Sequence, residues 1–333
     1  MPTIDSASAA SAKALCKSFP GGIVALHNVD FDIPFGQVTA IVGANGSGKT
    51  TLLRIFCGLL NQDSGQVRVL DQDPRERGKT FRSHIGYVSQ DPALDHEMTG
   101  QETLAFFAAL YGIEKRTRQT RLAHLAADFA LNDHLSRRVR QYSGGLRKRL
   151  HLAVGLIHDP RFIVVDEPTA GLDPSGCDFF WSVMRSRAEQ GHAVLVVSHD
   201  MDHVARYSNR VALFDKGELL LCETPSQIVS SQGSPMLQVT LSAPIKDENL
   251  RRELAAIPGV NRIQIVARQI TISLENGGEA QKHILETLDR SGFEPIVIQR
   301  KSPDILTAYF NLTGRDFSVK PGGTGTKSKK KSA

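Results

Sequence analysis

The sequence predicts an α/β protein: a mostly parallel sheet covered by helices on both faces, followed by a smaller α+β domain. Three observations carry this. From about residue 14 to 232, short runs rich in Val, Ile and Leu alternate with helical stretches, the pattern of strands buried on both faces. A glycine-rich segment, Gly43-Ala44-Asn45-Gly46-Ser47-Gly48, stands between one such run and one such helix. After a break at Ser230-Ser231-Gln232-Gly233-Ser234-Pro235, the order of elements changes.

A length of 333 residues, 41% hydrophobic, suits two cores. No run approaches the ~18 consecutive apolar residues of a spanning helix, and residues 1–14 lack the basic start and apolar stretch of a secretory signal. The net charge of +5 is local. Residues 315–333 hold Arg315, Lys320, Lys327, Lys329, Lys330 and Lys331 against Asp316, which leaves 34 basic and 34 acidic side chains elsewhere. No domain-wide field is left for a phosphate backbone, so no nucleic-acid partner is expected. The Gly/Lys/Ser tail 315–333 reads as disordered, as does the small-residue leader 1–12. Cys16, Cys57, Cys177 and Cys222 form no CxxC pair and have no histidines at zinc spacing. They read as small apolar packing residues of a reducing compartment.

Strands are expected at 39–42, 67–70, 162–166, 193–197 and 210–214. Helices are expected at 49–60, 101–111, 146–158, 175–190 and 224–231. The first domain is placed at 13–232 and the second at 233–314. In the second, strands at 236–241, 261–266, 269–274 and 294–299 and helices at 246–257 and 279–291 give the order βαββαβ, and a helix at 304–312 closes it. That order suggests a ferredoxin-like sandwich.

Gly43 through Thr50 fit GxxxxGK[ST], with a strand before and a helix after, as the motif requires. Backbone N–H groups of such a loop face one point, reinforced by the positive end of the following helix. Residues 43–51, including Thr51, are the candidate ATP-binding set. Lys49 would reach the β- and γ-phosphates, and Thr50 would bind Mg²⁺. The run Phe162-Ile163-Val164-Val165-Asp166-Glu167 ends in two acids. Asp166 can hold Mg²⁺ through water, and Glu167 can act as general base on the attacking water.

Tyr142-Ser143-Gly144-Gly145-Leu146, ahead of the acidic strand, resembles the ABC-transporter signature, usually LSGGQ. With the phosphate loop and acidic pair in this order, residues 13–231 resemble an ABC-type nucleotide-binding domain: a mixed sheet with a helical subdomain at about 91–158. The resemblance implies further roles. Gln90 would be the Q-loop glutamine at the Mg²⁺ site, His199 the switch histidine against the γ-phosphate or water, Asp173 the D-loop aspartate, and Phe19 the ring stacked on adenine, where the family more often has Tyr. It also implies a homodimer sandwiching two ATP molecules, with Ser143, Gly144 and Gly145 completing the site of the other chain. A separate transmembrane permease would carry this pair on the cytoplasmic face of the membrane.

Leu146 departs from the usual Gln. Followed by Arg147, Lys148 and Arg149, it resembles the exporter branch that serves drugs, lipids and lipo-oligosaccharides. These bases, with Arg137, Arg138 and Arg140, read as solvated surface. Residues 236–314 resemble the accessory domain of drug-resistance exporters, most of all in the closing stretch 302–314, and a dimer-stabilising or regulatory role is expected of them. An importer ATPase with a solute-sensing C-terminal domain, or a non-transport ABC ATPase, is the alternative.

Overall fold

The computed structural model describes residues 8–76, 78–91, 93–245, 248–275 and 279–315. The chain divides into two compact units, Met1–Pro225 and Ser226–Ala333, ahead of the expected break at 232/233. The expected tail lies, after Arg315, outside the described residues.

The first unit opens with strands β1 (Ser8–Phe19) and β2 (Ile23–Pro34), then β3 (Val38–Gly43), helix α1 (Lys49–Phe56) and β4 (Ser64–Val69). There follow α2 (Lys79–Arg82), β5 (Ile85–Val88), α3 (Gly100–Leu110), α4 (Lys115–Asp128) and α5 (Gly144–Gly155). The unit continues through β6 (Phe162–Asp166), α6 (Pro174–Glu189), β7 (Ala193–Val197), α7 (Met201–Tyr207), β8 (Arg210–Asp215) and β9 (Glu218–Glu223). One six-stranded sheet has the order β5-β6-β7-β3-β8-β9. Its first five strands are parallel, and β9 returns antiparallel on β8. Every residue of β3, β6 and β7 is buried, as strands covered on both faces must be. β1, β2 and β4 form a separate antiparallel sheet of order β2-β1-β4.

The leader expectation needs correcting: residues 8–12 belong to β1. Ala10 pairs with Ile33 and Val69, and Ala12 with Phe31 and Val67. Ala9, Ala10 and Ala12 are buried in the same core cluster as those larger side chains. Small residues here leave room for Phe31 and Ile33 rather than marking a solvated arm. β2 and β9 were not expected as strands, although each holds four successive apolar residues, 23–26 and 219–222, and they pair with β1 and β8. Cys57 and Cys177 are buried and Cys16 and Cys222 half-buried, all as free thiols.

The second unit comprises α8 (Pro225–Gln232), β10 (Met236–Leu241), α9 (Glu248–Ala255), β11 (Val260–Val266), β12 (Gln269–Leu274), α10 (Glu279–Arg290), β13 (Pro295–Lys301) and α11 (Ile305–Thr313). The connectivity from β10 to β13 is βαββαβ. The sheet has the order β11-β12-β10-β13, with every pairing antiparallel. Leu237, Val239, Ile270 and Ile272 form a core with Leu250, Leu254, Ile284 and Leu288 of the two amphipathic helices. α11 packs on β11 and β12, its start fixed by Asp304, which accepts from Thr307 N at 2.7 Å. Among the described residues, no helix is long and apolar enough to cross a membrane.

Candidate active site

Three parallel strands bring the predicted residues together. Ile41 of β3, Val197 of β7 and Asp166 of β6 share one row of the register. Immediately beyond this row lie Gly43, Glu167 and His199. β5 adds the fourth edge: Val88 pairs with Val165, so the chain leaves β5 beside the acidic pair and reaches the exposed Gln90 two residues later.

The phosphate loop is held by backbone. A Cβ on Gly43 would meet Phe214 O at 2.2 Å, and one on Gly48 would meet Ala25 O at 2.3 Å. Gly48 is also in the left-handed region, at φ 100°, where it caps α1. The turn between β8 and β9 braces the loop, since Gly217 N donates to Ser47 O at 3.1 Å and Gly217 O accepts from His27 N at 2.8 Å. Lys49 is buried and donates to the carbonyls of Gly43 and Ala44, both at 2.9 Å. Burial holds its pKa below the usual lysine value, opposed by the nearby Glu167 and Asp166 charges.

Thr50 Oγ1 donates to Asp166 Oδ2 at 3.2 Å. Burial raises the Asp166 pKa, and the Glu167 carboxylate adds to the effect, against the Thr50 hydrogen bond and the charges of Lys49 and Arg54. Glu167 has φ 47°, a conformation an L side chain adopts at a cost of about 1–2 kcal/mol. Its N–H donates to Val197 O at 3.0 Å, and His199 Nε2 lies 2.8 Å from its Oε1. The bend thus turns Glu167 towards the end of β7 while Asp166 stays with Thr50.

The donor set fits a nucleoside triphosphate with a hard cation. Ser47 Oγ is buried with no hydrogen-bond partner among the described residues, beside loop glycines that keep the backbone accessible. Thr50 and Asp166 offer oxygen ligands of the kind Mg²⁺ takes while keeping phosphate and water in its shell. Among the described residues no cluster of three or more His, Cys, Asp or Glu could hold a metal by itself.

The remaining predicted residues lie apart from this cluster. Phe19 ends β1, 38% exposed, with Lys17 Nζ 5.7 Å from its ring centroid. Ser143 caps α5, its Oγ accepting from Leu146 N at 3.2 Å. Ser143, Gly145 and Asp173 line one shallow cleft of about 240 Å³ with Leu146, Lys148 and Leu172. Asp173 caps α6 by accepting from Gly176 N at 3.2 Å.

The ABC transporter family model matches residues 26–170. The chain is 31% identical over 298 residues to the daunorubicin resistance ATP-binding protein DrrA3 of Streptomyces coeruleorubidus, covering 89% of this chain and 93% of that protein. It belongs to the ABC transporter ATP-binding proteins. The Nod factor export ATP-binding protein I of Sinorhizobium fredii is 30% identical, covering 89% of this chain and 84% of that protein. Among solved structures, cbiO1 from Clostridium perfringens, part of an ABC transporter complex, superposes with a TM-score of 0.63 at 25% identity over 75% of this chain and 96% of its own. A dimeric ATP-binding cassette in a post-hydrolysis state with ADP and Pi gives 0.58 at 27% identity over 65% and 98%. The chain is an ABC ATPase of the exporter type that energises a membrane transporter.

In this ABC ATPase Arg137, Arg138 and Arg140 are exposed, as a solvated surface requires, whereas Arg147, Lys148 and Arg149 are half-buried, a second correction. Arg138 and Arg140 pair with Glu97 at 2.7 and 3.2 Å. Arg149 stacks 4.3 Å over Phe179. Lys148 donates to Pro168 O at 3.1 Å and to Ala170 O, so it straps the signature helix to the segment after Glu167. The sequence marked Lys148 only as one charge in a run. The Lys216-Gly217 brace was also missed: both residues take positive φ, 48° and 85°, as a type I′ turn requires, but that turn is ordinarily marked by Asn-Gly or Asp-Gly. Tyr142, read as part of the motif, is 4% exposed and donates to His134 O at 2.7 Å. It anchors the loop that presents Ser143.

Proposed function

We propose that the chain is one half of an ATP-driven export motor: two copies close over two nucleotides and act on a separate permease, peripheral to the cytoplasmic face of the membrane. The observation that carries the reading is the division of labour at the strand ends, where Thr50 meets Asp166 and Glu167 meets His199.

In this reading the loop N–H groups of residues 43–51 and Lys49 bind the phosphates, Phe19 stacks on adenine, and Ser143, Gly144 and Gly145 close the site of the second copy. Thr50 and Asp166, with Gln90, would hold Mg²⁺, which would supply neutralisation of the phosphate charge. Lys49 exchanges its two loop carbonyls for phosphate oxygens, recovering the attraction its burial needs. Glu167 takes the proton of the attacking water. His199 orients that carboxylate and contacts the water or the γ-phosphate. Asp173 fixes the start of α6, and through it the segment that runs from Glu167.

The cargo class is read from the relatives, which confer daunorubicin resistance or export Nod factor: amphipathic drugs or lipid-bearing oligosaccharides. Co-purification tests the reading. A tagged Glu167→Gln chain treated with Mg·ATP should retain a membrane-spanning protein and a second copy of itself, and recovery of neither contradicts it.

A further inference from the structure

The C-terminal unit carries a sheet edge that the ATPase site does not use. β13 is the last strand in the order β11-β12-β10-β13. Ile296, Val297 and Ile298 on it are 63%, 42% and 43% exposed, and they are all the exposed large apolar side chains of this unit among the described residues. Edge strands are commonly blunted by charge, proline or a bulge. Here Pro295, a register shift near Ile296 and the pair Arg300-Lys301 occupy only the two ends, and the apolar centre is left open.

The ladder fixes which backbone groups face outward. Leu241 N donates to Arg268 O on the β12 side, so by alternation Thr240 and Gln238 face β13. Their partners are Val297 and Gln299. Ile298 and Arg300 therefore turn their N–H and C=O groups to the open edge.

We propose that β13 pairs antiparallel with β13 of a second copy about a two-fold axis at Val297, joining two four-stranded sheets. The occupant follows from charge. With Val297 opposite itself, Ile296 stands opposite Ile298 of the second copy, and the exposed Glu294 stands opposite Arg300 of the second copy, twice by symmetry. The positive ends, Arg300 and Lys301, fall at opposite ends of the joint. A parallel pairing would set them against each other. A closed two-fold joint of this kind also removes both edges.

Pairing over about five residues buries less than the ~1,200 Å² of a stable interface. The joint is thus weak alone and acts by raising the effective concentration of two chains joined elsewhere. That benefit rests on the reading of two copies closing over ATP; the pairing itself requires no nucleotide.

The test uses the full chain without nucleotide. In a non-hydrogen-bonded antiparallel pair the two Cα atoms lie about 4.5 Å apart, within disulfide reach. Mild oxidation of Val297→Cys should give a covalent dimer on a non-reducing gel, with a disulfide joining the two substituted positions by mass spectrometry, at least ~5-fold above wild type and above Gln299→Cys, which this register sets opposite Pro295 of the second copy rather than opposite itself. Arg300→Glu added to Val297→Cys should lower the yield several-fold, and Glu294→Arg added to both should restore it. Equal yields from Val297→Cys and Gln299→Cys, or no dimer from either in folded protein, would overturn the proposal. The second result would leave the edge to another occupant, such as residues 316–320 of the same chain. ATP turnover of the same variants is measured separately, so a failed joint and a failed motor give different results.

Discussion

At the two ends of the phosphate loop's glycine run, Gly43 and Gly48, the space is filled; around the signature turn it is open. A Cβ on Gly43 or Gly48 would run into backbone oxygens at 2.2 and 2.3 Å. Next to Gly144 nothing lies within 4 Å, and next to Gly145 only Leu172 comes close, at 3.9 Å. The glycines of the first loop are demanded by the chain itself. Among the described residues nothing crowds those of the second, which leaves room there for a group from outside. Both loops open a helix and both can offer N–H groups to phosphate. If two copies close as proposed, the first loop serves its own chain's site and the second serves the site of the other copy.

The sharpest way to break this contrast is at the chemistry. Glu167→Gln keeps Thr50, Asp166 and the loop, and should lose about 10²–10⁴-fold in turnover while still binding Mg·ATP and staying dimeric on gel filtration. A loss of only a few-fold would move the base elsewhere. The glycines come next. Gly48→Ala should destabilise the nucleotide unit by about 1–3 kcal/mol through overpacking, lowering its melting temperature. Gly144→Ala should melt like wild type and bind nucleotide, yet turn over poorly. Equal melting shifts for the two would erase the distinction.

Lys148→Met tests whether the signature helix is strapped to the segment after Glu167. Loss of its bonds to Pro168 and Ala170 should cost about 1 kcal/mol and slow turnover modestly without changing nucleotide affinity in the monomer. The smallest effect concerns Asp166. Its pKa is raised by burial, so its ionised form is a burden on the folded state, relieved as the pH falls through that raised value. Asp166→Asn should therefore melt higher than wild type at pH 7–8 without nucleotide, and the gap should close on acidification. A gap that widens towards low pH would reverse the sign.

Much of this was legible from residue type and order. The phosphate loop, the acidic strand end and the signature are local strings whose chemistry travels with them, and the register row Ile41, Val197 and Asp166 follows once three apolar runs form a parallel sheet. What the sequence concealed was decided by partners far along the chain. Residues 8–12 of β1 looked like a leader because Ala9, Ala10 and Ala12 give no apolar signal until Phe31 and Val67 pack on them. Lys148 and Gly217 matter only through carbonyls and N–H groups some 20 to 190 residues away in sequence. The left-handed bend at Glu167 has no signature in residue type.

The central claim is that the signature belongs to the other copy's site, and a mixing experiment tests it most directly. Ser143→Arg blocks only the turn, and Lys49→Ala disables only the phosphate loop. Each alone should be inactive, and each should melt as a folded protein. A mixed dimer has one site with both defects and one with neither, so combining the two inactive proteins should restore measurable ATP hydrolysis. Full activity of Ser143→Arg alone would contradict the account. So would a mixture no more active than its parts in dimers shown to contain one chain of each.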